Sequence, residues 1–383
     1  MKVAIIGANE YQNKLIIKCK ENNVETHVFA WSEGAIGKDS ADYFYDISIT
    51  EKELILEKCR DIGIDGVISI GSDLAMLTVN YVAEKLNLVG NTLHCTQIST
   101  NKYDMRKSLE VGGVRCPRYI RVKDINNIDI GNMRFPLIVK PTDRSGSRGV
   151  TKVETINNIN SAVESALNQS FNKEVIIEEY ISGKEFSMEF ISQNRIHTFL
   201  AITEKYTTGA PNFIEKAHIE PGEISESLLA KAIEVAKRGL ESLNICNGAS
   251  HVEIKIDKND IFIIEIGARM GGDFIGSELV RLSTGIDFTQ LVLDVALGKK
   301  ISINKKYSKY SMVYFIFDEK DIYNYNKNRK LLEKYIVEEE IHNNEVKQNV
   351  TDSSNRHGYS IFQFNFLDDL NVVKKILLED SYD

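Results

Sequence analysis

The chain has 383 residues, of which 43% are hydrophobic and 27% charged, and its formal net charge is −8. This length allows two or three domains with a sizeable core, and an acidic balance argues against nucleic acid as a partner. No stretch approaches the roughly 18 apolar residues of a membrane span, and the first apolar run is too short for a signal peptide. The five isolated cysteines suit reduced thiols better than a zinc site or disulfides. The sequence therefore predicts a cytoplasmic globular protein without a membrane partner.

Residues 1–100 alternate short apolar strands with amphipathic helices. The strands KVAIIGA, ETHVFAW and DGVISIG are separated by helical patterns over residues 10–22 and 51–62, and residues 73–86 form a further helical pattern. This rhythm predicts a parallel sheet covered by helices, hence an α/β first domain. Gly7 stands at the first strand-to-helix turn, where phosphate sites often form, but GANEYQ lacks the G-x-G-x-x-G spacing. A tight turn and a substrate contact both stay open at Gly7.

The next segment carries two lysines and a loop rich in glycine and serine. A basic helix over residues 101–112 contains Lys102, and the strand FPLIVK ends in Lys140. The loop that follows consists of Ser145, Gly146, Ser147, Arg148 and Gly149. Glycines let successive backbone N–H groups point the same way, which creates a nest for an anion. It is not a Walker loop, because no G-K-[ST] opens a helix. A phosphate-binding loop and a flexible hairpin are both compatible with this segment.

Residues 249–272 read as two strands joined by a polar turn. Alternation places Glu253 on the polar face of the first strand, and it places Glu265 and Ile263 on one face of the second. A three-residue turn over residues 258–260 would set Glu253 directly opposite Glu265, whereas an even-length turn would separate them. Opposed carboxylates repel, and Mg²⁺ is commonly held by one or two carboxylates plus nucleotide phosphates. The pattern favours a metal site, with a solvated edge hairpin as the alternative.

Two further segments carry candidate residues, and the chain ends in a polar region. Residues 174–190 read as strand, turn and strand, with an acidic run in apolar surroundings. That run consists of Glu178, Glu179, Glu185 and Glu189. Residues 207–225 read as a loop in which Glu215 and His218 stand three residues apart. The composition turns polar after residue 299, and residues 301–383 read as a small α+β unit.

Taken in chain order, these features resemble those of the ATP-grasp enzymes over nearly the whole chain. The order of the lysines, the loop, the hinge EEYISGKE and the two carboxylates carries the resemblance. It implies an α/β and α+β architecture with an N-terminal parallel-sheet (pre-ATP-grasp) domain over residues 1–100. A central ATP-grasp domain would follow over residues 101–300, with a lid at about 117–185. A small C-terminal α+β domain would cover residues 301–383.

The resemblance also implies a role for each site residue. The lysines and the loop would hold the ATP phosphates, the hinge backbone would hold adenine, and Glu185 would accept ribose hydroxyls. The implied nucleotide-binding residues are Lys102, Lys140, Ser145, Gly146, Ser147, Arg148, Gly149, Glu178, Glu179, Tyr180, Ile181 and Glu185. Glu253 and Glu265 would hold one or two Mg²⁺, with Mn²⁺ as a substitute. Arg269 would stabilise charge on the transferred phosphoryl group and on the bound carboxylate.

One departure from the family pattern narrows the branch. Many members carry Asn two residues after the second carboxylate, and Gly267 stands there in this chain. This leaves the number of metal ions open and points away from biotin carboxylase and carbamoyl-phosphate synthase. The form EIGARMGGD is closer to the L-amino acid and dipeptide ligases, in which a Glu and a His three residues apart meet the substrate from a mobile loop. Glu215 and His218 match that spacing, and NRHGY at residues 355–359 resembles the C-terminal domain of that branch.

The expected activity is that of an ATP-dependent carboxylate–amine ligase. A small acid, expected to be an amino acid or a related compound, would become an acylphosphate that an amine converts to an amide, with release of ADP and phosphate. One alternative is a purine-pathway enzyme that activates formate or bicarbonate for a ribonucleotide amine, although residues 1–100 show no clear second phosphate site. Another is a non-catalytic ATP-binding module, against which the retained lysines, carboxylates and Arg269 argue. The oligomeric state stays open, although the first domain commonly pairs into a homodimer in this family.

Overall fold

The computed structural model describes residues 1–210, 213–341, 350 and 353–379. No helix within these ranges combines the length and the apolar character that crossing a membrane requires. The described strands group into a parallel sheet near the N-terminus, a small antiparallel sheet, and a long antiparallel sheet that runs to the C-terminal region.

The N-terminal region is the predicted parallel sheet flanked by helices. Its strands are β1 (Lys2–Ile6), β2 (Glu25–Ala30), β3 (Tyr43–Asp46) and β4 (Gly66–Ile68), in the spatial order β3-β2-β1-β4. Its helices are α1 (Glu10–Glu21), α2 (Lys52–Ile62), α3 (Asp73–Leu86) and α4 (Leu93–Thr100). Asn9 caps α1 by accepting hydrogen bonds from the amides of Tyr11 and Gln12, which explains why the helix begins directly after the first strand. Gly7 has a φ of 101°, so it serves the tight turn.

A second region of helix and sheet covers the residues that the sequence assigns to the lid. It follows α5 (Lys102–Val111), the basic helix of the sequence. Its elements are β5 (Tyr119–Val122), β6 (Leu137–Pro141), β7 (Thr151–Val153), α6 (Ile159–Gln169) and β8 (Val175–Glu179). The strands pair in the order β5-β8-β6-β7, and α6 packs its apolar face on β6. Lys140 therefore lies near the end of β6, opposite Ile176 of β8.

The long antiparallel sheet forms the floor of the molecule. Its first strands are β9 (Lys184–Gln193), β10 (Ile196–Thr207), β11 (Glu215–Glu220), β12 (Gly248–Asp257) and β13 (Asp260–Gly267). Helix α7 (Glu226–Ser242) and α5 cover its underside, where Val252, Ile254 and Ile266 are fully buried. The opposite face is polar and points toward the lid.

The β12–β13 hairpin differs from its prediction in two ways, and the two differences compensate. Asp257 pairs with Asp260, so the turn has two residues, and the predicted three-residue turn is wrong. Glu253 nevertheless lies directly opposite Glu265, because a β-bulge inserts Ile264 into β13. The bulge also reverses the predicted position of Ile263, which is fully buried in the core instead of sharing the face of Glu265. The predicted pairing of the carboxylates is therefore correct, although its predicted cause is not.

The C-terminal region continues the floor sheet. It contains α8 (Val280–Thr284), α9 (Phe288–Ala296), β14 (Tyr310–Phe315), α10 (Glu319–Lys327), α11 (Arg329–Leu332), β15 (Ile336–Ile341), β16 (Gly358–Phe364) and α12 (Leu367–Lys374). Strand β14 pairs with β11, so the described part of the floor sheet has the order β13-β12-β9-β10-β11-β14-β16-β15. Helices α8 and α9 are separated at Gly285, which has a φ of 76°. The C-terminal unit thus shares the sheet that carries the carboxylates.

Candidate active site

A cleft of about 1090 Å³, its open mouth included, lies between the lid and the polar face of the floor sheet. It brings together most of the residues that the sequence singled out. Those lining it are Lys102, Lys140, Ser145, Gly146, Ser147, Arg148, Glu178, Glu179, Tyr180, Ile181, Glu185, Glu215, Glu253, Glu265 and Arg269. Gly149 and His218 are described but do not line it. Motifs up to 167 residues apart in the chain, from Lys102 to Arg269, therefore share one cavity.

The two opposed carboxylates each have a lysine as counter-ion. Lys102 Nζ lies 2.8 Å from Glu265 Oε1 and also donates to the carbonyl of Arg144. Lys205 Nζ lies 2.6 Å from Glu253 Oε1. Both lysine side chains are less than a tenth exposed, so these charges are poorly screened by water. The ammonium groups offset the repulsion that direct opposition of two carboxylates creates.

Lys205 is a site residue that the sequence reasoning missed. Besides Glu253, its ammonium lies 3.1 Å from Glu185 and 3.7 Å from Glu215. Burial lowers the pKa of Lys205, but the three carboxylates outweigh burial and raise the pKa well above its usual value. Lys205 is therefore charged, and the pKa of Glu253 is correspondingly held well below its usual range despite burial. A lysine within the apolar strand LAITEKY was the signal that could have identified it.

A second buried ion cluster holds Lys140. Its ammonium lies 2.8 Å from Glu178 Oε2, and Arg106 Nε lies 2.6 Å from the other oxygen of that carboxylate. Burial raises the pKa of Glu178, but Arg106 and Lys140 outweigh it and lower the pKa to about 2. The Glu178 side chain therefore positions a predicted phosphate-binding lysine. Its predicted contribution to the adenine hinge is limited to its backbone.

Two backbone amides of the hinge after β8 already donate hydrogen bonds within the region assigned to the lid. The amide of Glu179 donates to Arg118 O at 2.9 Å, and the amide of Tyr180 donates to Pro136 O at 3.0 Å. A purine placed here would thus use other backbone groups of the hinge. The Tyr180 ring has the ammonium of Lys255 4.7 Å from its centroid, which fixes one wall of the cleft.

The Gly/Ser loop turns through two successive left-handed residues. Gly146 and Ser147 both adopt left-handed φ values, of 66° and 57°, and Ser147 Oγ donates to Phe213 O at 3.2 Å. Gly149 has a φ of 71°, and a Cβ there would lie 3.1 Å from Pro141 Cγ. Gly149 thus serves close packing behind the loop and does not face the cleft. The loop amides and Arg148 remain available for an anion.

Arg269 is held in a fork by Asp73 from the first domain. Its Nε and Nη2 lie 2.9 and 3.0 Å from the two carboxylate oxygens. Burial opposes ionisation of both groups, but the pair keeps the pKa of Arg269 raised and that of Asp73 lowered. A Cβ at Gly267 would lie 3.1 Å from Arg269 Cζ. The arginine therefore occupies the space where many family members place an asparagine side chain.

Glu215 and His218 lie on strand β11 and not on the predicted loop, which is therefore wrong for these residues; Pro211 and Asn212 of that loop lie outside the described residues. Glu215 lines the cleft, and Ser353 Oγ donates to it at 3.0 Å. His218 is 1% exposed, and its Nε2 lies 3.4 Å from Asp273. The Asp273 carboxylate also receives two hydrogen bonds from Arg356, at 2.9 and 2.6 Å. His218 thus belongs to a buried cluster behind the cleft.

His251 is another missed residue beside the carboxylates. Its Nδ1 is hydrogen bonded to the buried Glu189, and its Nε2 lies 3.4 Å from Glu253 Oε1. Burial lowers the pKa of His251, but Glu189 and Glu253 outweigh it and raise the pKa to about 9. An imidazole held between two carboxylates orients Glu253 toward the cleft. Alternation had placed His251 on this face, but no role was inferred for it.

The donor set fits a hard divalent cation. Glu253 and Glu265 present carboxylate oxygens from facing strands, and oxygen is the ligand that Mg²⁺ prefers. Among the residues that the structure describes, no group of three or more His, Cys, Asp or Glu forms a ready metal site. Phosphate oxygens of a nucleotide would therefore complete the coordination, as is usual for Mg²⁺.

Comparison with known proteins agrees with this geometry. Residues 133–278 match the family model of the ATP-grasp domain. The alanine–anticapsin ligase of Bacillus subtilis is 28% identical over 284 residues, which cover 67% of this chain and 59% of that protein. The carbamoyl phosphate synthase large chain of Thermoanaerobacter pseudethanolicus is 24% identical over 264 residues, which cover 68% of this chain and 24% of that protein. The chain thus spans only part of the length of these relatives.

The fold has a solved counterpart over its whole length. The structure of the L-amino acid ligase of Bacillus licheniformis superposes with a TM-score of 0.82 at 20% identity, and it covers 98% of this chain and 96% of that chain. The predicted fold class, including the parallel first sheet, is therefore confirmed. Family match, fold and order of motifs agree, and residues 133–278 of the chain match an ATP-grasp domain.

Proposed function

We propose that the protein is an ATP-dependent carboxylate–amine ligase acting on small molecules, with an amino acid as the acid. The observation that carries the proposal is the pair Glu253 and Glu265, directly opposed and each held by a buried lysine, in one cleft with Arg269. Phosphoryl transfer asks mainly for positioning and charge neutralisation, and this cleft supplies both. The names of the amino-acid ligases among its relatives support the substrate class.

In the first half-reaction, an oxygen of the bound acid attacks the γ-phosphorus of ATP. The bond between that phosphorus and the oxygen bridging to the β-phosphate breaks, which gives an acylphosphate and ADP. Lys102 and Lys140 hold phosphate oxygens, and the loop at residues 145–149 donates its amides. Arg269, which is oriented by two hydrogen bonds to Asp73, binds the acid and the transferred group. Mg²⁺ held by Glu253 and Glu265 would neutralise phosphate charge in this step.

In the second half-reaction, the amine nitrogen attacks the acyl carbon. The bond from carbon to the phosphate oxygen breaks, inorganic phosphate leaves, and the nitrogen loses a proton. Glu215 lines the cleft and is the proposed partner of the amine. We assign His218 to holding Asp273 and not to substrate, because its ring is buried behind the cleft. The lid must close over the acylphosphate, since water would hydrolyse it.

Trapping with hydroxylamine tests the two halves separately. The protein is incubated with ATP, Mg²⁺ and each acid of an amino-acid panel, first with hydroxylamine and then with a panel of amines. The proposal predicts a hydroxamate for the activated acid and an amide for the correct pair, each formed in equal amount to ADP. A parallel reaction with formate and glycinamide ribonucleotide tests the purine-type alternative. Acid-stimulated ADP formation that yields neither a hydroxamate nor an amide would contradict the proposal.

A further inference from the structure

The opposition of Glu253 and Glu265 depends on one extra residue. With a two-residue turn, regular alternation would place the two carboxylates on opposite faces of the hairpin. The bulge at Ile264 restores them to one face. A bulge leaves backbone groups without partners in the ladder, and a buried unpaired group destabilises the fold. Groups outside the hairpin must therefore satisfy the backbone at this point.

Helix α5 supplies those groups from one face. Arg106 Nη2 donates to the carbonyl of Ile264, and the amide of Ile266 donates to Met105 Sδ at 3.3 Å. Lys102, one turn earlier, contacts the Glu265 carboxylate itself. Residues spaced by three and four positions lie on the same side of a helix, so one helix face contacts the bulge and its neighbours.

The second end of the Arg106 guanidinium reaches the lid. Its Nε donates to Glu178, which in turn holds Lys140. Arg106 is fully buried, with an exposed fraction of 0%. Its planar group presents donors in a rigid fork, whereas a lysine offers one point of charge. The guanidinium holds the carbonyl of Ile264 and the carboxylate of Glu178 through two nitrogens at a fixed separation, which the single nitrogen of a lysine lacks.

We propose that Arg106 is a positioning residue that stabilises the bulge at Ile264 and so keeps Glu265 opposite Glu253, in register with Lys140. The metal-related part of this inference rests on the proposed function, whereas the register of the hairpin does not. Arg106 touches neither nucleotide nor substrate in this assignment. It acts by fixing the position of two ion pairs, Lys102 with Glu265 and Lys140 with Glu178.

The variant Arg106→Lys tests the inference, because it keeps the positive charge but removes the fork. We expect the Mg²⁺ concentration for half-maximal turnover to rise about tenfold or more, and kcat to fall about a hundredfold. Binding of ADP in the presence of EDTA should weaken less than the Mg²⁺ requirement rises, because Arg106 contacts the hinge only through the Glu178 side chain. Leu109→Ala is the matched control: Leu109 is fully buried on the same helix but contacts the core. It should lower the melting temperature yet leave the Mg²⁺ requirement within about twofold.

A second measurement reads the register without ATP. Glu253→Cys and Glu265→Cys are introduced together, with Cys116 and Cys246 replaced by Ser, and a short thiol crosslinker is added. Directly opposed residues have Cβ atoms about 4.5–5.5 Å apart, so the two thiols should crosslink. Adding Arg106→Lys should reduce the yield about fivefold or more, because the bulge then slips and one thiol turns into the core. An unchanged yield, or an unchanged Mg²⁺ requirement in a folded Arg106→Lys protein, would overturn the inference. If no acid is ever activated, the crosslink still decides.

Discussion

Two glutamates on the same face of the floor sheet have pKa values shifted in opposite directions. Glu253 lies beside the ammonium of Lys205, and its pKa is held well below the usual range although burial opposes this. Glu220 receives hydrogen bonds from the hydroxyls of Thr203 and Ser283, and burial raises its pKa to about 8. Burial opposes the ionisation of both carboxylates, so burial alone does not decide their charge. The presence of a cation within contact distance does.

A single row across the sheet joins the two regions. Glu253 is opposite Ser187, Ser187 is opposite Thr203, and Thr203 donates to Glu220 at 2.8 Å. At the cleft end the carboxylate stays ionised for ligands, while at the interior end it stays protonated and neutral. Changes of charge at the cleft end should therefore alter turnover far more than stability. At the interior end the reverse should hold.

The largest effect is expected for Glu265→Gln. The change removes the charge that pairs with Lys102 and that would hold the metal, so turnover should fall about a thousandfold or more. The fold should survive, since the side chain faces the cleft and the amide has nearly the same shape. Coupled assays of ADP release and thermal unfolding measure the two quantities. Substantial activity in a folded variant would contradict the claim that the charge at the cleft end controls turnover.

Arg269→Lys should have the next largest effect. A lysine cannot reproduce the two-point contact with Asp73, so the cation loses its orientation and kcat should fall about a hundredfold. Asp73→Asn serves as the milder control, because it keeps the arginine but weakens its anchor, and we expect a loss of about tenfold. If the control reduces kcat more than Arg269→Lys does, then Asp73 has a role beyond holding the arginine.

Gly267→Asn probes the space between these groups. A Cβ there would lie 3.1 Å from Arg269 Cζ and 3.3 Å from Asp73 Oδ1. The larger side chain must therefore displace the ion pair of Arg269 and Asp73. We expect kcat to fall about tenfold, and Gly267→Ala to lose less. Steady-state kinetics over a range of Mg²⁺ concentrations check this. An Asn variant that is more active and needs less Mg²⁺ would mean that the family's extra metal ligand can be restored here.

The smallest effect on turnover is expected for Glu220→Gln, which acts on the pH dependence of stability. Folded Glu220 keeps its proton up to about pH 8, whereas the unfolded chain loses it near the ordinary value of 4.5. Its contribution to stability is therefore complete below pH 4.5 and is lost as the pH rises through 8. Between those values the free energy of unfolding should fall by up to about 1.4 kcal/mol per pH unit from this group.

Glutamine cannot titrate, so the variant should lack that slope. Denaturant unfolding of both proteins between pH 5 and 9 measures the difference, and turnover at pH 7 should agree within about twofold. Parallel pH profiles for the two proteins would show that Glu220 is ionised after all. The interior carboxylate would then resemble the one in the cleft, and the contrast between the two regions would disappear.

Much of the fold and of the site could be predicted because the relevant signals are local. Strand and helix periodicity predicts the parallel first sheet, and the order of lysines, loop, hinge and carboxylates predicts which segments meet in the cleft. The structure places these segments there, although the roles of the individual residues stay predictions. Gly267 was identified as a departure, and the structure adds its physical reason, the fork of Arg269 and Asp73.

The remaining features depend on partners that one sequence does not reveal. Lys205 gains its importance from carboxylates on β9, β11 and β12, and Arg106 from a bulge that no residue type marks. The β11 strand was read as a loop, and one of its two pairing partners, β14, lies about a hundred residues further on. His218 was expected at the substrate, but its ring is buried and contacts Asp273, which also accepts hydrogen bonds from Arg356. Contacts between distant segments thus decided each of these cases.

The two-residue turn and the bulge together decide which face of the hairpin each carboxylate takes, because side chains alternate between the two faces. A regular hairpin with the same turn would bring its carboxylates to one face with one residue fewer between them than here. Relatives of either length can therefore present the same site, provided that the shorter hairpin lacks the bulge. An alignment that forbids a one-residue gap between Glu253 and Glu265 would misplace one carboxylate in such a pair. Gap placement in this short stretch therefore has a structural meaning that can be checked against coordinates.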